Sequence, residues 1–220
     1  MKITRINFIG IRVGRFLRIS ALVCFAGLFG LPSKGDTVPG AEFFDRYRTL
    51  PNGARVKKSD ALAVVDIGKQ KMYVIVAGRV YQYAISSGSA GEGFLSGSGK
   101  TPTGWHKVHS RYGKNAQIGQ LFKARRPVKG AVRTEKEWRS PNGDEVLTRI
   151  FWLEGLEPKI NRDPKGNCDS FRRCIYIHGT NQEHLLGRKA SHGCIRMGNR
   201  EVAALFEIVQ GVKNFYVFIK

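Results

Sequence analysis

Hydrophobic positions along the chain fall into short runs separated by glycine. Residues 61–67 (ALAVVDI), 71–77 (KMYVIVA) and 79–86 (RVYQYAIS) are rich in valine, isoleucine and tyrosine, divided by Gly68 to Gln70 and by Gly78. Such side chains fit a pleated, half-buried surface, so the pattern predicts three strands joined by tight turns. The next stretch, 86–104, is dense in Gly and Ser and reads as a mobile or tightly turning loop before an extended pattern resumes at Trp105 to Val108. A glycine-rich loop can cradle phosphate, but no Lys-Ser or Lys-Thr opens a helix behind this one.

Residues 111–145 are basic and poorly periodic and end in the turn SPNGDE. Buried strands are predicted at 146–156 (VLTRIFWLEGL) and 174–178 (CIYIH). In 199–211, Val202, Leu205, Phe206 and Val209 recur at helical spacing, with Asn199 as a plausible cap and Gly211 as a stop. NFYVFIK supplies a last strand. Residues 36–60 are polar and read as a linker with one helical turn near Glu42 to Tyr47. Many short strands with one or two short helices predict a mainly β domain over 61–220, closer to a sandwich or partly closed barrel than to alternating β and α units.

The first 35 residues change the picture of where the domain works. Lys2, Arg5, Arg12, Arg15 and Arg18 precede an apolar run from 19 to 31, and no acidic residue occurs among the first 35. This is the pattern of an export signal, short for a membrane span, which needs about 20 apolar residues. Export to the periplasm or cell envelope is expected, and an uncleaved membrane anchor is the alternative. Cys24 follows the bulky Val23, which disfavours lipid attachment. The formal net charge is +20, and about +14 once the leader's six cations are set aside. The basic runs KARRPVK (123–129) and FRR (171–173) lack the interleaved aromatics of a nucleic-acid stacking platform. An anionic polymer outside the cytoplasm, or a carboxylate-rich substrate, is the expected partner, and nucleic acid is not.

Without Cys24 the chain keeps Cys168, Cys174 and Cys194, an odd number for an oxidising compartment. The close spacing of Cys168 and Cys174 makes them candidates for a local disulfide, which leaves Cys194 free. Alternation along CIYIH puts Ile175 and Ile177 toward the core and Cys174, Tyr176 and His178 on the other face. His178 then stands at a strand end. If the chain folds back after it, the turn SHGC brings Cys194 alongside. A thiol of reference pKa about 8.5 becomes a working nucleophile when an imidazole takes its proton, and that imidazole needs an acceptor, here a carbonyl near Gly179. Gly193 permits close approach of backbone to substrate, its N–H and that of Cys194 are candidate oxyanion donors, and Arg196 suits a carboxylate.

HGT at 178–180 followed by SHGCIRM at 191–197 resembles the paired signature of the L,D-transpeptidase catalytic-domain family, bacterial enzymes that cross-link cell-wall peptidoglycan. The likeness extends from about residue 61 to 220 and includes VDIGKQKMYVIVAGRVYQYAISSG, TPTGWH and FWLEGLE. It implies a β-sandwich-like catalytic domain with Cys194 as nucleophile, His178 as base, and His192 with Gly193 at the oxyanion site. Ser191, Arg196, Gly179 and Thr180 are the implied supporting and substrate-binding positions. The implied substrates are peptidoglycan tetrapeptide stems, with a second stem, a cell-wall lipoprotein lysine or water as acyl acceptor. No metal and no cofactor are implied.

Rival readings are a zinc site built from Cys168, Cys174, His178, His192 and Cys194, whose spacing is irregular, a general cysteine protease, and a wall-binding protein without activity. Surface or local hydrogen-bonding roles are expected for His106, His109 and His184, and Trp105 is a candidate for the cleft lining.

Overall fold

The computed structural model of the chain describes residues 39–141 and 143–220. The readings of residues 1–35 as a leader, and of Cys24, lie outside them. Among the described residues no helix is long and apolar enough to cross a membrane.

The first three apolar runs form antiparallel strands β1 (Ala61–Asp66), β2 (Lys71–Val76) and β3 (Arg79–Ala84). Two residues link β2 to β3, Ala77 at φ 49° and Gly78 at φ 75°, a left-handed pair whose twist suits a hairpin. The remaining strands are β4 (Gly104–Tyr112), β5 (Gln120–Lys123), β6 (Arg126–Val132), β7 (Val146–Gly155), β8 (Tyr176–Gly179), β9 (Ile195–Met197) and β10 (Phe215–Ile219). All belong to one mixed sheet, mostly antiparallel, with parallel pairs β1·β10 and β8·β9.

The path β3-β2-β1-β10-β4-β7 continues through β8 to β9, while β5 and β6 branch from the start of β7. Just after β3, Ser86 pairs with Arg196 of β9 through two backbone hydrogen bonds of 2.9 and 3.0 Å. That bridge brings the path back on itself, so the mainly β architecture takes the partly closed form. Inside lies the main core: Ala61, Ala63 and Val65 of β1, Phe215, Val217 and Ile219 of β10, Phe151 and Leu153 of β7, Ile177, Ile195 and Met197. The helix α1 (Asn199–Ile208) adds Val202, Leu205 and Phe206 to it, with Val209 just beyond.

Alternate residues of β1 and β2 form a second cluster on the opposite face: Leu62, Val64, Tyr73 and Ile75 with Phe44, Leu50 and Val56. The stretch expected as a linker therefore packs on the sheet over its described part, through a short 3-10 helix at Ala41–Tyr47 that buries Phe44. Trp105 belongs to this second cluster, 5.1 Å from the ring of Phe218, and so does not line a cleft.

Three local expectations are corrected. The basic stretch 111–145 contains β5 and β6, whose hairpin turns at Ala124 (φ 47°) and Arg125 (φ 66°), left-handed positions that carry no Gly or Asn. Cys174 is itself left-handed at φ 55°, so β8 starts only at Tyr176. Asn199 does not cap α1; the N-cap is Gly198, and the Glu183 carboxylate accepts the Asn199 N–H at 2.6 Å, placing a negative charge where the helix dipole favours one.

Candidate active site

Cross-strand pairing sets out the face opposite the main core in two rows. Ser110, Trp152 and Tyr176 stand side by side on β4, β7 and β8. Cys194 ends this row, its Sγ accepting the Tyr176 N–H at 3.4 Å and donating to the Cys174 carbonyl at 3.5 Å. One step along the strands, Tyr112, Ile150, His178 and Arg196 form the second row. His178 on β8 and Cys194, the residue just before β9, are thus diagonal neighbours on one face, with Tyr176 and His178 alternating as expected for that part of CIYIH.

His178 is buried, and its Nδ1 lies 2.7 Å from the Gly179 carbonyl. A carbonyl can only accept, so Nδ1 carries the proton and Nε2 of the neutral ring keeps its lone pair. Burial holds the imidazole below its ordinary range, against the field of Asp144 and the Gly179 hydrogen bond. Burial likewise pushes the Cys194 thiol up to about 12, against the Tyr176 N–H, which favours the thiolate. Both shifts favour the neutral pair.

The turn carrying Cys194 is fixed by side chains of its own sequence. Ser191 Oγ donates to the Cys194 carbonyl at 2.5 Å and accepts the Gly193 N–H at 3.1 Å. That N–H is therefore turned inward, which corrects its assignment as an oxyanion donor. Gly193 sits at φ 116°, and a Cβ there would lie 2.9 Å from the Lys100 carbonyl, so glycine is required on two grounds. The Gly- and Ser-rich loop is built onto this turn: the Thr101 hydroxyl, fully buried, donates to the Gly193 carbonyl at 3.0 Å and accepts the Gly88 N–H.

Sequence reasoning missed Asp144. Its Oδ2 is 2.5 Å from Arg196 Nη2 and accepts from His192 Nδ1 at 3.1 Å, and Arg196 Nη1 donates to Gln182 at 2.9 Å. The carboxylate that Arg196 meets is thus internal, and Arg196 is only 1% exposed. His192, its side chain 83% exposed, stands at the rim. Arg173 was also missed as a structural element; it donates to the carbonyls of Gly93, Phe94 and Lys100 and so ties down the glycine-rich loop. Neither residue has a sequence signal beyond being charged near a turn.

The four positions named as supporting and substrate-binding are all buried, and their polar groups take the supporting role. Ser191 and Arg196 are spent as described. Thr180 accepts the Gln182 N–H on its hydroxyl and the Asn199 amide on its carbonyl. A Cβ on Gly179 would lie 2.4 Å from Asn199 Oδ1 and 2.9 Å from the Leu147 carbonyl. Cys168 and Cys174 are free thiols, not a disulfide: Cys168 faces the Lys159 carbonyl and Asp163, Cys174 faces Arg125 and the Arg172 carbonyl. No group of three or more His, Cys, Asp or Glu that could hold a metal ion occurs among the described residues. Of the two roles expected for it, His106 takes the hydrogen-bonding one: it is fully buried, with Nδ1 on the Gly104 carbonyl and Nε2 on Ser170, while His109 stacks edge-on with Phe171.

The family profile described as YkuD, L,D-transpeptidase catalytic domain, matches residues 60–217. The chain belongs to that family. A candidate L,D-transpeptidase of Bacillus subtilis strain 168, YqjB, is 51% identical to it over 37 residues, 17% of this chain and 21% of that protein. Among solved structures, an L,D-transpeptidase fragment from Xylanimonas cellulosilytica is 19% identical over 74% of this chain and 62% of that one, at a TM-score of 0.40. L,D-transpeptidase 3 from Mycobacterium tuberculosis is 14% identical over 73% and 60%, at 0.42. The helical cell shape determining protein Pgp2 from Campylobacter jejuni, as its K307A mutant, is 18% identical over 74% and 48%, at 0.40. This L,D-transpeptidase domain therefore spans less than two thirds of each relative. The family acts on peptidoglycan in the cell envelope.

Proposed function

We propose that this protein is an exported L,D-transpeptidase that cross-links tetrapeptide stems of peptidoglycan through a thioester on Cys194. The observation that carries the reading is the placement of His178 beside Cys194 on one sheet face, with Nδ1 held by the Gly179 carbonyl so that Nε2 can act as base.

Because burial favours a neutral thiol and a neutral imidazole, the proton moves as the sulfur attacks. Sγ bonds to the carbonyl carbon at the L-centre of the third residue while its proton passes to Nε2. The oxyanion is assigned to the Cys194 N–H, with His192 at the rim. As the carbonyl re-forms, the bond to the terminal D-alanine nitrogen breaks, that nitrogen takes the proton from the imidazolium, and D-alanine leaves. The side-chain amine of another stem, deprotonated by His178, then displaces the thiol and joins two third residues. Arg196 and Asp144 act through the turn, Arg196 anchoring the Asp144 carboxylate that orients His192.

The test is incubation of the protein with tetrapeptide stems and identification of products by mass. A cross-linked dimer with released D-alanine is expected, and Cys194→Ala should abolish it along with acylation by a carbapenem. Tripeptide alone would replace the reading by an L,D-carboxypeptidase; attachment of a lipoprotein lysine would change only the acceptor. Untouched stems and no acylation would leave a wall-binding protein.

A further inference from the structure

The hairpin β5–β6 lies over the row that ends at Cys194. Its turn holds Ala124 and Arg125, consecutive non-glycine residues at positive φ. Such strain persists where the surroundings over-determine it, and it clusters at functional sites. Here the surroundings hold one guanidinium. The Arg125 carbon sits 4.0 Å from the centre of the Trp152 ring, and Nη1 donates to the Tyr176 hydroxyl at 2.7 Å, with Cys174 Sγ at 3.8 Å. Phe171 stacks on Trp152 at 3.9 Å and 8°. The cation is therefore fixed over Trp152 and Tyr176, the two residues that lead along the row to Cys194.

The other guanidinium edge is unspent. Among the described residues, Nε and Nη2 of Arg125 have no hydrogen-bond partner. Lys123, Arg126 and Lys129 of the same hairpin likewise form no ion pair there. The other arginines near the thiol are committed, Arg196 to Asp144 and Gln182, Arg173 to three carbonyls. Arg125 is thus the guanidinium on this face that combines a fixed position with free donors, the arrangement suited to paired hydrogen bonds with a carboxylate.

We propose that Arg125 is the anion-binding residue of the site, taking a carboxylate of the peptide that lies against Cys194. The proposal rests on the reading of Cys194 as the acyl-carrying thiol. It assigns the hairpin a part in substrate choice, with Lys123, Arg126 and Lys129 supplying the longer-range attraction.

Alkylation of the full chain tests it without the natural substrate. Iodoacetate and iodoacetamide both form a carbon–sulfur bond and expel iodide, but only iodoacetate is an anion. The ratio of their rates at Cys194, read by peptide mass, should fall about threefold or more in Arg125→Gln, with the iodoacetamide rate unchanged. Arg125→Lys keeps the charge and should hold most of the ratio. With stem peptides, Arg125→Gln should raise KM with little change in kcat, an increase that disappears for stems whose carboxylates are amidated. A reactive Cys194 whose ratio does not move in Arg125→Gln overturns the anion site alone. Both rates are read at about pH 10, where enough thiolate forms; a Cys194 inert to both reagents there overturns the catalytic reading and the anion site with it.

Discussion

At the scale of single residues, the site is a balance between burial and hydrogen bonding. Cys194 and His178 are each pushed toward the neutral form by loss of water, the thiol to about 12 and the imidazole below its usual range. Two pH dependences follow. Alkylation by iodoacetamide needs the thiolate, so its rate at Cys194 should climb about tenfold per pH unit to pH 10 and beyond, where an unperturbed thiol levels off near its reference pKa of about 8.5. A plateau near pH 9 would show that the thiol is not held up. On the proposed mechanism, acylation by a peptide or β-lactam needs only the neutral imidazole, so it should fall with acid only below the ordinary histidine range. The place of His178 beside Tyr176 was legible in sequence because strand alternation fixes which side chains share a face, and SHGC was legible as a glycine-bearing turn. Asp144 was not, since nothing in SPNGDE marks which of its acids will meet Arg196.

Among elements, the loop 86–104 shows what composition leaves open. Its glycines and serines fit either mobility or tight turning. Thr101 and Arg173 decide for the latter, by binding the loop to the Gly193 carbonyl and to strand β8's approach. Arg173→Ala removes three charge-assisted hydrogen bonds, so hydrogen exchange of amides in 93–101 should accelerate tenfold or more while β1 and β10 stay protected. Unchanged exchange would mean that the loop is held by Thr101 and its own turns. The hairpin β5–β6 escaped detection for a related reason. Its first strand is only four residues long, its second is largely solvated, and the Ala-Arg turn that closes it carries none of the residues that usually announce positive φ.

For the whole molecule, the bridge from Ser86 to Arg196 joins the strand run at one end of the sheet to the strand that follows Cys194. A second long-range tie is His106 on β4, fully buried, whose Nδ1 donates to the Gly104 carbonyl and whose Nε2 accepts from Ser170 at 2.9 Å. Burial lowers its pKa to about 4. Between that value and the unfolded reference of about 6.5 the unfolded chain binds the extra proton, so stability is lost as pH falls through this window. The loss from this one group approaches about 3 kcal/mol once pH is below 4. Urea unfolding should therefore show a shallower dependence on pH between 6.5 and 4 in His106→Gln than in the natural protein. Parallel dependences would assign the acid sensitivity to the carboxylates instead.

What the sequence determined by itself are features written in neighbours along the chain: strands with period two, the apolar stripe of α1, and the residues HGT and SHGC. Local sterics and the covalent alternation of side chains suffice for these. Only the folded chain decided which polar groups are spent and which are free. Arg196 became an internal anchor, Gly193 turned its N–H inward, and Arg125 came to rest over Trp152. Those outcomes depend on partners from distant strands, whose pairing is set by how the sheet curls around its core rather than by any local pattern.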